Sequence, residues 1–418
     1  MNVKDSLGVL RAPNFRWFFL SRFVNLTGSA MANLSLAFAV LAVHDSAGAL
    51  GQVLAARTIP MVLFLLLGGV VADRFDRTLV LQVSNLTSAA TQGLAAYLVI
   101  SGGAEIWMLI ALVAVNGTTS AASMPAMQGI VPQLVDRKDL QPANVLLSMS
   151  RGALTVLGPS IAAVLVVAVG PGWGLAIDAA TWAVAALMLV KVRIPPMPAK
   201  NGPATSMLTE LREGWSYFRG TTWLWVVVAA FGLLNAMQTG ALQTLAPAYA
   251  KGTIGVRAWG FAESAEAVGM LLMTVVLLRA TYRRPLRAGM LGMLGVVAPL
   301  LVLGLSMHTV PLVVAMAVAG MGIEVFSLAW SLVMMENVPG EMLSRAYSYD
   351  MLGSFVAMPV GQLIYGSLGE WFGAEDVFVT SAVVYGIVVL AALAVPAVRR
   401  LERAPTEPVE PAAEGAPA

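Results

Sequence analysis

Roughly twelve apolar segments, each long enough to cross a lipid bilayer, follow one another along this chain. A helix needs about 20 mostly apolar residues to span the hydrocarbon core, and in lipid its backbone groups must all be hydrogen-bonded internally. The segments lie near 17–43, 50–72, 78–100, 105–130, 144–168, 173–192, 222–247, 259–279, 286–305, 310–334, 346–368 and 376–398. The sequence therefore predicts an all-α integral membrane protein with about 12 transmembrane helices.

Reactive side chains are scarce, and this excludes several functions. The chain has no cysteine, and its two histidines, His44 and His308, lie in short connections between spans. The spans therefore offer neither a metal cluster nor a nucleophile with its base, and no phosphate-binding G-x-x-x-x-G-K-[ST] loop occurs. We predict that the chain is not an enzyme, and we expect no cofactor, no metal and no nucleic-acid partner.

The basic residues are distributed unequally between the two predicted sides of the membrane. Twenty of the 25 Lys and Arg residues fall on the side of the N-terminus, whereas Lys251 and Arg257 fall on the other side. Short cytoplasmic loops carry such an excess. The sequence predicts a multi-pass protein of the inner or plasma membrane, surrounded by membrane lipid, with both termini in the cytoplasm.

The longest connection divides the spans into two groups of six. We predict a cytoplasmic lead over 1–16, a six-helix bundle over 17–192, a linker with a short amphipathic helix over 193–221, a second six-helix bundle over 222–398 and a disordered cytoplasmic tail over 399–418. Weakly similar segments recur in the same order in both groups, as a duplicated unit would leave. Two related halves are an architecture of transporters. We expect a monomer.

The stretch "LGGVVADRFDRTLVL", residues 67–81, places four charges in the predicted turn between spans two and three. Asp73 can accept from backbone N–H groups at a helix N-terminus, where an anion is stabilised. Arg77 can pair with a carboxylate across the interface, and Asp136 or Asp139 is the nearest candidate. A second interpretation is that the arginines only fix orientation, which leaves the two aspartates unexplained.

This turn resembles the signature G-x-L-x-D-R-x-G-R-R of the Major Facilitator Superfamily. The matching residues are Gly69, Asp73, Arg74 and Arg77. The departures are Val71, Asp76 and Thr78. The resemblance implies two pseudo-symmetric six-helix bundles that open alternately, with this turn latching their cytoplasmic faces together when the carrier opens outward. We assign Asp136 and Asp350 to the same gate.

Span five contains a second signature, "GALTVLGPSIAA", which is similar to the G-P-x-x-G-G motif of drug:proton antiporters. Gly158 permits close contact with a facing helix, and Pro159 removes an intrahelical hydrogen bond and kinks the span. The segments "VPQLVDRKDLQPAN", "AIDAATW" and "GIEVFSLAW" resemble the branch with enterobactin exporters and macrolide-efflux carriers. The resemblance implies a proton-coupled multidrug-type exporter, an antiporter for small amphiphilic or hydrophobic substrates such as drugs and natural products.

The resemblance also places spans one, four, seven and ten around a central substrate cavity. Polar side chains on these otherwise apolar spans should face protein or water rather than lipid. We assign to the cavity the amides Asn25, Asn33, Asn116, Asn235 and Gln238. The alternative is that these side chains only form hydrogen bonds between helices.

Ionisable residues inside the spans are the candidates for proton coupling. We assign this role to Glu324, Glu266, Asp178 and Arg57. Each costs about 2.5–3.5 kcal/mol at mid-membrane unless it is paired or hydrated. Glu324 has no evident cationic partner and is the first candidate for a carboxyl that gains and loses a proton, whereas Glu263 is expected at the interface. Asp178 and Arg57 can instead form a static pair.

Two other functions remain open. The same fold serves uptake permeases for polar nutrients, which would favour more charges in the cavity than the amides and hydroxyls assigned here. A non-transporting membrane protein of this fold is the other alternative, and it would tolerate substitution of Asp73 without loss of function.

Overall fold

The computed structural model describes residues 8–136, 139–193, 207–277 and 283–403. Within these ranges the description excludes the side chains of residues 65–74, 124–125, 128–129, 132, 207–211, 340–341 and 344. The described residues form helices joined by short connections, and no strand occurs among them.

The first half of the chain contains six long helices. They are α1 (Pro13–Val43), α2 (Ala47–Arg74), α3 (Arg77–Ser101), α4 (Ile106–Leu134), α5 (Leu140–Val169) and α6 (Pro171–Leu189). A short helix, α7 (Met207–Gly220), follows and overlaps the linker predicted to hold an amphipathic helix.

The second half is more interrupted. Its helices are α8 (Thr222–Gln238), α9 (Ala246–Gly252), α10 (Val256–Leu277), α11 (Pro285–Met293), α12 (Val297–Leu305), α13 (Thr309–Asn337), α14 (Gly340–Phe355), α15 (Met358–Phe372), α16 (Ala374–Ala394) and α17 (Pro396–Arg399). A π-helical stretch, Thr239–Leu245, joins α8 to α9, and a 3-10 turn, Leu294–Val296, joins α11 to α12.

Proline and glycine mark where the helices begin and end. Pro13 and Pro171 occupy first-turn positions, where the missing N–H has no helical partner to lose. Gly102, with φ of 75°, closes α3 by donating to the carbonyls of Leu98 and Val99, a left-handed conformation that glycine adopts without strain. These connections are tight because the residues at each helix end are suited to terminating it.

Eleven stretches within the described residues are long and apolar enough to span a membrane. The predicted third span coincides with α3, which is 25 residues long and therefore also reaches across a bilayer at about 1.5 Å per residue. Its apolar character is diluted by polar side chains, of which Ser84, Asn85 and Ser88 are buried against neighbouring helices. Polar side chains in a span are expected to face protein rather than lipid, and these three do.

The two halves meet through two helix pairs. Helix α5 packs against α10, and α2 packs against α15. In the first pair, Ser160 and Ser264 share a hydrogen bond of 2.7 Å between their hydroxyls, and the Ser160 amide donates to the Ser264 hydroxyl at 3.1 Å. Within each half other helices pack against these four, for example α4 on α2 and α13 on α10.

The connections divide between two ends of the bundle. At one end, here called the linker end, Asn14 donates to the carbonyl of Arg193 and Arg345 pairs with Glu213 of α7 at 2.7 Å. The opposite end, here called the far end, contains the connections around residues 44–46, 102–105 and 253–255. The orientation of these ends relative to the cytoplasm stays a prediction.

Residues 399–403, the start of the tail predicted to be disordered, are instead fixed to the linker end by contacts of three arginines. Glu402 accepts from Arg284 at 2.9 Å and pairs with Arg283 at 3.4 Å, while Arg403 pairs with Glu336 of α13 at 2.9 Å. The hydrogen bond from Arg284 lowers the pKa of the Glu402 carboxyl. The basic stretch "RATYRRPLRAG" lacks an aspartate of its own, and Glu402 supplies a carboxylate to it from the other end of the half.

Candidate functional site

A cavity of about 600 Å³ lies between the two halves. Its walls come from α1, α2 and α5 of the first half and from α8, α9, α10, α13 and α15 of the second, together with the π-helical stretch. A volume in the range of about 300–1,000 Å³ is typical of sites for small molecules. The position between two packed halves makes it the candidate substrate site.

Four ionisable side chains line the cavity, and their signs divide between the halves. Arg57 and Arg151 come from the first half, whereas Glu263 and Glu266 come from the second. Within the described part of the chain, no ion pair joins either arginine to either glutamate. The cavity therefore presents both signs of charge to its contents.

Neighbouring polar groups hold two of these side chains in place. Arg57 Nη1 donates to Asn33 Oδ1 at 3.0 Å, and Trp259 Nε1 donates to Glu263 Oε1 at 3.0 Å. Glu263 was expected at the membrane interface, and the structure shows instead that it lines the cavity with Glu266. The reason is the spacing of three residues on α10, which puts both carboxylates on one face of the helix.

Asp178 lies behind α1 rather than in the cavity, with only 1% of its surface exposed. It accepts from Trp182 Nε1 at 3.2 Å and from Ser29 Oγ at 3.4 Å. The predicted direct pair with Arg57 is not formed in the described structure, because Arg57 donates to Asn33 on the adjacent stretch of α1. The two charges act on each other only at longer range.

Glu324 is near the middle of α13 but is not among the described residues that line the cavity. Its carboxylate accepts from Thr274 Oγ1 of α10 at 2.7 Å. The structure thus gives Glu324 a hydroxyl partner on a neighbouring helix, while its role as a proton carrier stays a prediction.

The five predicted cavity amides fall into two groups. Asn33 and Gln238 line the cavity. The other three are not among the residues that line it: Asn25 accepts from Arg22 at 3.1 Å, Asn116 donates to Thr91 at 3.2 Å and Asn235 donates to the Ser354 carbonyl at 3.1 Å. The alternative assignment, hydrogen bonds between helices, describes Asn116 and Asn235 in this conformation, whereas the bond of Asn25 lies within α1.

Several cavity residues were not predicted. Arg151, Thr155, Gln243 and Gln362 all line it. Gln243 lies in the π-helical stretch, a distortion common at functional sites that no sequence pattern indicated. Gln362 is 4% exposed and its Oε1 has no hydrogen-bond partner in the described structure. An amide side chain in an otherwise apolar span could have indicated Gln362 as a cavity residue, since polar residues in spans usually face protein or a cavity.

The residues of the predicted gate are only partly described. The surroundings of Gly69 and the side chains of Asp73 and Arg74 lie outside the described part of the structure, and the pairing of Arg77 with Asp136 or Asp139 stays a prediction. Asp73 lies within the last turn of α2. The side chain that caps α3 is that of Asp76, which accepts from the amides of Thr78 at 2.7 Å and Leu79 at 3.1 Å. The helix N-terminus expected to hold Asp73 therefore holds Asp76.

Asp350, the other predicted gate residue, bonds within the second half. Its carboxylate accepts from Trp330 Nε1 at 2.9 Å and from Ser354 Oγ at 3.2 Å. Trp330 belongs to α13 and Ser354 to α14. Asp350 also belongs to α14, so the bond from Trp330 ties the two helices together.

Gly158 and Pro159 sit where α5 touches both halves. A Cβ on Gly158 would come within 2.6 Å of the Ala30 carbonyl oxygen of α1, and one on Gly260 of α10 would come within 2.8 Å of the Pro159 carbonyl oxygen. Either distance is shorter than a side-chain carbon tolerates. The glycine–proline pair thus lets α5 lie close to α1 and α10 at once.

Polar bridges join the two halves at the far end. Lys251 Nζ lies 2.7 Å from Asp45 Oδ1 and donates to the Leu41 carbonyl at 2.8 Å, while Ser46 Oγ donates to Glu370 at 2.7 Å. We call these three contacts the far-end clasp. They join the two halves at the far end in this conformation.

Replacing Lys251 with methionine is expected to open the far end. Hydrogen bonds to charged groups contribute about 1.5–3 kcal/mol and exposed ion pairs about 0.2–1 kcal/mol, so the ratio of open to closed forms should rise about tenfold, which corresponds to about 1.4 kcal/mol. Because the chain has no cysteine, spin labels at Ser101→Cys and Thr253→Cys can report the distance between the halves by pulsed electron resonance.

Arg257→Met is the matched control, because Arg257 is an exposed cation of the same end without an ion pair in the described structure. The labelled distances should lengthen in the Lys251 variant and stay unchanged in the control. Equal distance distributions in both variants would show that the clasp does not hold the far end closed.

The sequence is similar to those of known membrane transporters. The family description Major Facilitator Superfamily matches residues 18–349. The MFS-type transporter YfiS of Bacillus subtilis is 23% identical over 82% of this chain and 83% of its own length. The enterobactin exporter EntS of Escherichia coli is 23% identical over 91% of each chain, and macrolide efflux protein A of Streptococcus pyogenes is 21% identical over 93% and 97%.

Solved structures share the fold. The nucleoside transporter NupG superposes with a TM-score of 0.68 at 18% identity, covering 91% of this chain and 98% of its own. The peptide transporter POT in complex with alafosfalin superposes with a TM-score of 0.71 at 15% identity, covering 93% and 96%. With the match to its profile over residues 18–349, this multi-pass membrane protein belongs to the Major Facilitator Superfamily, a family of secondary transporters rather than enzymes.

Proposed function

We propose that this transporter is a proton-coupled exporter of small amphiphilic molecules, placed in the cell membrane with both termini in the cytoplasm. The observation that carries the proposal is the pair of carboxylates, Glu263 and Glu266, that lines the cavity between the halves. The names of two relatives, the enterobactin exporter and the macrolide efflux protein, support export of natural-product molecules.

The packing suggests how the cavity would change its access. The α5–α10 and α2–α15 pairs connect the halves, so the halves can rock about these contacts. The far-end clasp is closed in this structure. The complementary state would release Lys251 and close the linker end, where the charged turn of residues 73–77 provides the predicted latch.

Proton movement can drive this cycle. Moving one charge through about 100 mV releases about 2.3 kcal/mol. At about 1.4 kcal/mol per decade, this sustains a roughly forty-fold gradient of a neutral substrate per proton. The carboxylates of Glu263 and Glu266 in the cavity, and that of Glu324 on α13, which accepts from Thr274 of α10, are the groups proposed to carry the proton.

The test is transport by the full-length protein in proteoliposomes with an imposed proton gradient. A panel with a macrolide, a catecholate siderophore and a nucleoside covers amphiphilic and polar substrates. Accumulation should require the gradient and disappear with a protonophore. Glu324→Gln is expected to abolish proton-linked efflux yet remain folded, because an amide oxygen can still accept from Thr274. Accumulation that is the same with and without the proton gradient for every compound would contradict the proposal.

An uptake permease for a polar nutrient is the second candidate. The four charged side chains around the cavity favour it, since they exceed the amides and hydroxyls expected from the sequence. Direction of transport separates the two functions. Cells that express the protein should accumulate less of an amphiphilic substrate if it exports, and should gain growth on a polar nutrient if it imports.

A further inference from the structure

The charged residues that line the cavity lie at definite depths along their helices. Arg57 lies ten residues from the far-end start of α2, and Glu266 lies ten residues from the far-end start of α10. At about 1.5 Å per residue, the two side chains project from similar depths. Arg151 lies roughly 12 Å closer to the linker end along α5. A positive and a negative group therefore line the same level of the cavity, on different halves.

We propose that the cavity binds amphiphiles that carry two charges of opposite sign, with an oxyanion held by Arg57 and a protonated amine held by Glu263 and Glu266. The inference rests on one part of the proposed function, namely that this cavity is the substrate site. It names a substrate class narrower than the amphiphiles proposed above.

The charged groups are not satisfied by each other. Arg57 uses Nη1 for Asn33, and Glu263 uses Oε1 for Trp259. These contacts orient the two side chains but give neither an ion pair, since no opposite charge lies within ion-pair distance of either in the described structure. Asp178 acts on Arg57 only at longer range. A ligand with both charges would supply the missing partner on each half at once. A ligand with one charge would leave the other half uncompensated, which is costly in a partly desolvated site.

The rest of the lining indicates an apolar body between the charges. Leu26, Leu54, Met270 and Met316 contribute to the walls, and flexible methionines adapt to varied shapes. With a volume of about 600 Å³, the cavity suits a molecule of drug size rather than a free amino acid.

A ligand that contacts both halves would also compete with protons for the carboxylates of Glu263 and Glu266. A proton on Glu263 or Glu266 removes the charge that holds the amine, so proton and amine compete for the same carboxylates. Exchange of one for the other is the behaviour that an antiporter requires.

The test measures binding to the purified full-length protein in lipid nanodiscs with three dansyl probes. Nα-dansyl-L-lysine carries a carboxylate and an amine, dansylcadaverine lacks the carboxylate, and dansyl-L-norleucine lacks the amine. The probe with both charges should bind at least tenfold more tightly than either of the others, as read from dansyl fluorescence.

The variants assign each charge. Arg57→Gln should reduce the affinity for Nα-dansyl-L-lysine to that for dansylcadaverine and leave dansylcadaverine unchanged. The Glu263→Gln, Glu266→Gln double variant should reduce it to that for dansyl-L-norleucine. Glu105→Gln is the control, because Glu105 lies at the far end and contacts its own neighbour Trp107. Melting curves of each variant establish that it is folded.

Equal affinity for all three probes, a preference for a probe with one charge, or no binding of any of them would overturn the proposal. No proton gradient is present in this measurement, so it is independent of the transport assay. If the protein binds the doubly charged probe but transports no substrate, the proposed function is contradicted and this inference is not.

Discussion

Replacement of both Glu263 and Glu266 by glutamine is expected to uncouple transport from the proton gradient. Both carboxylates line the cavity, and an amide of the same shape cannot release a proton. Gradient-driven accumulation in proteoliposomes should therefore fall at least tenfold. Downhill movement of a neutral substrate should persist, since the walls of the cavity are otherwise unchanged.

The single variants show whether the pair acts as a unit. Trp259 donates to Glu263 and no hydrogen bond is described for Glu266, so Glu266 is the freer carboxylate and its replacement should account for most of the loss. Glu105→Gln is the control for removal of a carboxylate outside the spans. Full coupling in the double variant, together with its loss in Glu324→Gln, would assign the proton to Glu324.

The spans were predictable because lipid imposes a simple rule. A segment such as Ala374–Ala394 must be long and apolar whatever its neighbours are, and the predicted limits, 376–398, differ from it by a few residues. The same rule explains α3, whose polar stripe faces protein rather than lipid. The position and length of a span depend only on the hydrophobicity of that segment, so both can be predicted from one sequence.

The cavity was less predictable because its lining depends on how each helix is rotated. The spacing of Glu263 and Glu266 indicated a shared face, but only the packing of α10 against α5 and α13 turns that face toward the cavity. Asn116 shows the opposite outcome. It lies on a span expected to line the cavity, yet its amide donates to Thr91 of α3.

Contacts between distant segments were the hardest to predict. Glu402 bonds to Arg284 across 118 residues, and no periodicity or motif connects them. Asp76 was instead within reach of sequence reasoning, because aspartate is a preferred residue just before a helix. The family signature favours Asp73 as the capping residue, whereas the capping preference predicts Asp76, which accepts from Thr78 and Leu79 at the start of α3.

Replacement of Gly51 by alanine is expected to abolish transport and to destabilise the protein. Gly51 belongs to α2, and a Cβ there would overlap the backbone carbonyl oxygen of Gln362 in α15. Because a backbone atom cannot move aside alone, the two helices would have to separate. Overpacking of this kind costs about 1–3 kcal/mol. The separation would also displace Gln362, which lines the cavity.

Gly93→Ala is the matched control. Its added Cβ would lie 3.7 Å from Ala179 Cβ, an ordinary contact, and alanine is favoured over glycine in a helix by about 1 kcal/mol. Thermal unfolding in detergent and transport in proteoliposomes should therefore be unimpaired in Gly93→Ala and both reduced in Gly51→Ala. Normal transport by Gly51→Ala would mean that the α2–α15 pair is loose enough to absorb a methyl group. In that case the halves could not rock about a close contact at Gly51, and the α5–α10 pair, with Gly260 on Pro159, would have to provide the pivot by itself.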